Sequence, residues 1–159
     1  MTSLFDAYIG DMSGLPDPDR DQRFYAGVPS RRLAAWVVDL IVTLGIGVPL
    51  ALVFGLMTLG VGLALFPLIL LGVGFFYRVA TIASGSATWG MRLMGIELRR
   101  QDGTRFDLTA AFLHTALYTV CIGVMILQVA SVVGMLGTRY GQGLPDLVLR
   151  SAMINRPTD

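Results

Sequence analysis

The sequence predicts an all-α membrane protein. It has two clear transmembrane helices, a third membrane-embedded helical segment, and a small cytoplasmic β-hairpin between helices two and three. Three observations lead there. Of 159 residues, 54% are hydrophobic and only 14% are charged, against about a quarter charged in a typical soluble domain. The mean hydropathy is +0.67. Charge is also absent from two long runs, residues 40–77 and 108–138, which contain no Asp, Glu, Lys or Arg. A helix crosses the hydrocarbon core with about 20 apolar residues. The first run is too long for one crossing and fits two; the second fits one crossing, or a re-entrant or interfacial hairpin.

The elements follow in order. Residues 1–30 read as a polar tail, mostly irregular because Pro16, Pro18, Pro29 and several glycines punctuate it. The tail lacks the basic start and apolar core of a cleavable signal peptide and carries Asp6, Asp11, Asp17 and Asp19, so targeting would fall to the first span. A membrane domain is expected over 31–154, with spans at about 32–57 and 59–83 joined by a turn around "TLGVG". The "GIGVP" of residues 45–49 and Pro67 should kink these helices, which membranes tolerate where neighbours satisfy the freed backbone. An unwound, ligand-facing segment is the alternative.

The loop over 85–108 is the most charged stretch outside the termini, and Asp102-Gly103 between "GIELRR" and "TRF" predicts the hairpin there. A third segment, 109–137, opens with Phe112, Leu113, Ala116, Leu117 and Val120 on one helical face and Thr109, His114, Thr115 and Tyr118 on the other. That pattern suits a helix at the interface or one that turns a polar stripe inward. Residues 155–159 form a short C-terminal tail.

Arginine placement orients the chain. The tail and the hairpin loop hold Arg20, Arg23, Arg31, Arg32, Arg92, Arg99, Arg100 and Arg105, and the turn between the spans holds no charge. Tail and loop are therefore expected in the cytoplasm, in a bacterial inner membrane. One crossing by the third segment would export Arg139, Arg150 and Arg156, so a returning segment is preferred.

Asp39 lies seven residues, or about 10 Å, along the first span from Arg32. Arg32, Trp36, Asp39 and Thr43 share one helix face. An ionised group near mid-bilayer costs about 2.5–3.5 kcal/mol on insertion scales, less toward the surface, so a partner is expected. Arg78 reaches similar depth on the second span. Asp39 is expected to pair with Arg78, with Arg32, or with both, and Arg32 could meet Asp146 if the C-terminus returns. Such pairs either staple helices together or leave a carboxylate that titrates during transport. His114 is another candidate pathway residue, although a structural role fits it better. Gln128 and Ser131 suit interhelical hydrogen bonds, Trp36 and Trp89 suit interfacial anchors, and Ala51, Gly55, Thr58 and Gly62 suit a small-residue seam broken by the turn.

Several classes are excluded. A net charge of +1 gives no reason to expect nucleic acid. No nucleophile–base motif, metal-ligand cluster or phosphate loop is present, so no catalytic residue, metal or cofactor is assigned and an enzyme is not expected. Cys121 is the single cysteine, so no internal disulfide can form.

Arg32 at the head of the first span, Asp39 within it and Asp146 in "GLPDLVLRS" resemble the RDD family of small membrane proteins, which is named for one arginine and two aspartates so placed. "RRLAAWVVDLIV" is similar to that family's opening helix. "GSATWGMRLMGIEL" is similar to its Gly-x-Thr-x-Gly loop and following strand, and "GQGLPDLVLRSAMI" to its closing segment. The resemblance covers residues 27–154. The sequence departs from the pattern at Met91, His114, Pro145 and Ser151, where a basic residue, an arginine, a histidine and a threonine are usual. The resemblance implies a membrane location and transport of ions or small solutes, cation/proton exchange being the concrete form. Two or three spans enclose little volume, so transport would require a homo-oligomer in the bilayer. The alternative is an accessory, scaffold or assembly factor for a larger membrane complex.

Overall fold

The computed structural model describes residues 12–157; the N-terminal aspartates at 6 and 11 lie outside them. The element order is a short 3-10 turn (Gln22–Phe24), α1 (Val28–Met57), a second 3-10 turn (Val61–Leu65), α2 (Phe66–Gly85), α3 (Trp89–Leu93), β1 (Ile96–Arg100), α4 (Leu108–Gly123), α5 (Met125–Gly137), α6 (Leu144–Val148) and β2 (Ser151–Asn155). Two helical stretches, 22–57 and 61–85, are long and apolar enough to cross a membrane.

The helical body is inverted relative to a water-soluble protein. Leu33, Ile41, Leu52, Leu56, Leu68, Phe76, Ile126 and Leu136 are exposed, while Asp39, Arg78, Thr81, His114, Thr115 and Ser131 are buried. Apolar side chains outward and polar ones inward are the arrangement that hydrocarbon rewards and water does not. Of the two placements open to the polar stripe of α4, the inward one is found: His114 and Thr115 are buried and Tyr118 half-buried, while Thr109 stays exposed.

Helix α1 runs unbroken through Pro49, so residues 45–49 are not unwound. Pro67 does not kink a helix. It occupies the first turn of α2, where its missing N–H has no intrahelical acceptor to lose. The turn between α1 and α2 uses positive φ at Leu59 (51°) and Gly60 (92°). Ala51, Gly55 and Gly62 are all buried around it. A side chain at Gly55 would meet Leu63, and one at Gly62 would meet Phe54. The small-residue seam therefore continues around the turn instead of stopping there.

The third apolar run is a bent pair: α4 and α5 meet at Val124 with their axes bent by 117°. A straight single helix is thereby excluded within this run.

The expected local β-hairpin is corrected. Asp102 and Gly103 do form a turn: Gly103 has φ +78° and donates to the Arg100 carbonyl at 2.9 Å. The strand that pairs with β1 is nevertheless β2, antiparallel, with Ile96 opposite Asn155 and Arg100 opposite Ser151. Thr104 still bonds across the turn, its carbonyl accepting from Arg100 N–H at 3.1 Å, but the residues beyond it have other partners. Phe106 is buried, and its N–H donates to Ser86 Oγ at 2.6 Å. Asp107 caps α4 by accepting from Ala110 N–H at 2.7 Å.

Pairing β1 with β2 brings residues 151–155 to the end of the molecule that holds the α2–α4 connection. The tail is there too. Gly14 N–H donates to the Gln101 carbonyl, Met12 and Leu15 pack on Ala152, Arg139 pairs with Asp17 and Asp19, and Asn155 bonds the Arg23 and Ala26 carbonyls. Residues 12–27 are mostly irregular, as expected, with one 3-10 turn at Gln22–Phe24, and these contacts strap them onto the sheet. This end has an ordinary hydrophobic core of Val28, Ile82, Met91, Ile96, Leu98, Phe106 and Met153.

Candidate functional site: paired charges between the helices

Asp39 is held from four directions. Tyr77 donates its hydroxyl to Oδ1 at 2.7 Å, and Gly90 N–H donates to the same oxygen at 2.9 Å. Thr88 donates its hydroxyl to Oδ2 at 2.6 Å, and Arg78 Nη1 lies 3.6 Å from Oδ2. The last contact is the longest, since the Arg78 guanidinium also lies 3.9 Å from the centre of the Tyr118 ring, within cation–π range. Arg78 is thus the partner of Asp39 and Arg32 is not.

The local sequence explains this. Thr88 is the N-cap of α3, accepting from Met91 N–H at 3.1 Å, and its hydroxyl still has its own proton to give to Asp39. Gly90 must be glycine, because an added Cβ would stand 2.3 Å from the Ala35 carbonyl oxygen and 2.7 Å from Asp39 Oδ1. The "ATWG" loop therefore presses onto α1 and closes around the carboxylate. Met91, where the family usually has a basic residue, is buried and offers its sulfur to Thr88 N–H.

A second cluster surrounds Asp146. Arg32 Nη1 donates to Oδ2 at 2.6 Å, Gly143 N–H donates to Oδ2 at 3.0 Å, and His114 Nε2 lies 2.9 Å from Oδ1. Asp146 is almost fully enclosed. Burial alone would raise its pKa, but the positive charge of Arg32 and the hydrogen bonds from His114 and Arg32 outweigh it and hold the carboxyl well below its ordinary range. A histidine is usual just before this aspartate, where Pro145 stands; here the imidazole beside Asp146 comes from α4.

Both clusters line one recess of about 400 Å³, whose wall includes Arg32, Trp36, Asp39, Arg78, His114 and Asp146. A second recess of about 230 Å³ is lined by Thr43, Leu70, Gly74, Phe75 and Ile122 together with Trp36, Asp39, Arg78 and Tyr118. The last four residues belong to both, so the recesses adjoin across the Asp39–Arg78 pair. Together they follow the polar face of α1 from Arg32 to Thr43. Gln128 and Ser131 also line the larger one, and Ser131 Oγ accepts from Leu144 N–H at 3.0 Å.

A family model described as the RDD family matches residues 25–150. The chain belongs to the RDD family. Comparison with curated proteins and with solved structures yields no match. Arg32, Asp39 and Asp146 of the RDD pattern thus stand in one recess but in two separate pairs, with Arg78 and His114 completing them. Tyr77, Thr88, Gly90 and Gly143 were not anticipated from sequence as partners. For Thr88 and Gly90 a signal existed, since a threonine N-cap two residues before a glycine marks a helix start that can come close to another backbone.

Proposed function

We propose that this RDD-family chain is a non-catalytic integral membrane protein that takes a small solute into the recess beside α1 and passes it along that helix. The observation that carries this reading is the adjoining of two recesses at the Asp39–Arg78 pair. A pair that bars the junction is a natural place for a gate, and its 3.6 Å separation makes it the easiest contact there to open. One chain encloses only part of such a route, so several copies in the bilayer would act together.

Cation/proton exchange receives less support than other solutes. Both carboxylates already accept from several donors, and a cation would have to displace them. The same saturation of Asp39 supports a second reading, in which the pairs only staple a rigid accessory subunit of a larger membrane complex. The orientation favoured is the one with the sheet end in the cytoplasm of a bacterial inner membrane. Arg99, Arg100, Arg139, Arg150 and Arg156 all sit on segments that converge there, in line with the positive-inside bias.

Proteoliposomes test these readings. Wild type and a folded Asp39→Asn variant would be given gradients of acetate and phosphate, followed by light scattering. Separately, Na⁺, K⁺ or Li⁺ would be added against a pH gradient. Entry of a small anion above empty vesicles is the expected result. Cation-driven loss of the pH gradient that vanishes in Asp39→Asn would instead establish exchange at Asp39. No flux of any of these solutes would favour the accessory role.

A further inference from the structure

The wall of the larger recess is short of acceptors, not donors. Among the described residues, Nε and Nη2 of Arg32 and Nε of Arg78 are buried donors without a partner. The Arg32 and Arg78 side chains are only 11% and 10% exposed. By contrast, all four carboxylate oxygens of Asp39 and Asp146 are occupied by donors from the protein. A buried donor left unpaired is costly, more so when charged. Several on one wall point to a ligand that brings acceptors.

Apart from His114, Tyr118, Gln128 and Ser131, the remainder of the lining is apolar. Its exposed members, Leu33 (65%), Trp36 (43%), Val132 (43%) and Leu136 (72%), frame the recess on the side where α1 and α5 present their apolar faces. A ligand that satisfies both parts has a polar acceptor-rich end and a hydrocarbon end.

We propose that the larger recess binds an amphiphile: an anionic head group, phosphate or carboxylate, on the wall that carries Arg32 and Arg78, and an apolar chain leaving between α1 and α5 past Leu33, Trp36, Val132 and Leu136. This rests on reading the recess as a solute site and names the class of its ligand. The head takes the guanidinium N–H groups of Arg32 and Arg78 that the two aspartates leave free, once those buried side chains turn toward the recess. The chain lies where a membrane lipid could enter sideways, without passing through water.

Binding to the full chain in uncharged detergent, counted by native mass spectrometry, tests it with three probes: a single-chain lysophosphatidate, a monoacylglycerol of the same chain length, and inorganic phosphate. One lysophosphatidate per chain is expected, held about tenfold more tightly than either other probe, the scale of one charge-assisted contact. Val132→Trp at the rim should weaken it about tenfold, whereas Val133→Trp, on an exposed position outside the recess, should not. Both sites are exposed, so neither variant disturbs the packed interior.

Equal binding of monoacylglycerol would overturn the anionic head, and phosphate binding as tightly as lysophosphatidate would overturn the apolar chain. Indifference to Val132→Trp would overturn the location. Lipid binding without solute flux would retain this site and sink the transport reading; flux without lipid binding would do the reverse.

Discussion

Gly90 and Asp39 show how much depends on single atoms. The backbone of α3 approaches α1 so closely that its N–H reaches Asp39 at 2.9 Å, and a methyl group at Gly90 would overlap the Ala35 carbonyl. Both neighbours are backbone or locked side chain, so the strain cannot be relieved by a rotamer change. Gly90→Ala should therefore destabilise the protein by about 1–3 kcal/mol, the usual penalty for overpacking. The measurement is the thermal midpoint in detergent, and an unchanged midpoint would contradict the close approach. The carboxylate of Asp39 is legible in sequence as a group in need of a positive partner. The three other donors are not, because they come from residues 38 to 51 positions away.

Elements divide between two environments. The helical body hides polar groups and exposes apolar ones, so its stability is not set by a water-excluding core. The sheet end works in the ordinary way, and Phe106 is its key. Its ring is 4% exposed, packs edge-on to His114 at 5.6 Å, and its N–H ties the chain to Ser86. Phe106→Ala should cost about 3–5 kcal/mol, seen as loss of the monodisperse species and faster proteolysis of the loop over 101–107. The same residue explains why the hairpin reading failed. Turn chemistry at Asp102-Gly103 was read correctly, but the pull of Phe106 into the core and the capping of α4 by Asp107 outcompete a local strand.

Across the whole molecule, the Arg32–Asp146 pair links residues 114 positions apart and joins the start of α1 to the C-terminal segment. Because the folded pKa of Asp146 lies below the ordinary 3.8, the group contributes stability in full above that pH and loses it as pH falls through the depressed folded value. The gap in thermal midpoint between wild type and Asp146→Asn should thus stay constant from neutral pH down to about 4 and then shrink. A gap that stays constant or widens in acid would show that the carboxylate is not held ionised by Arg32. The pair also belongs with the C-terminal strand at the sheet end, so loss of β2 would leave both Asp146 and β1 without their support.

By itself the sequence determined the class of molecule. Hydropathy and charge-free runs are local sums, so two long apolar helices, a third apolar segment of either one crossing or a returning form, and the family to which Arg32, Asp39 and Asp146 belong could all be read from the chain. Only the tertiary structure decided how these parts meet. Asp39 joined Arg78 and left Arg32 to Asp146; β1 paired with β2 and not with its neighbour; and Pro67 began a helix where a kink was expected. Periodicity reports which face a side chain is on, but partner choice depends on distances between segments far apart in sequence. Those distances are set by one glycine-tight contact, one buried phenylalanine and one buried ion pair acting together.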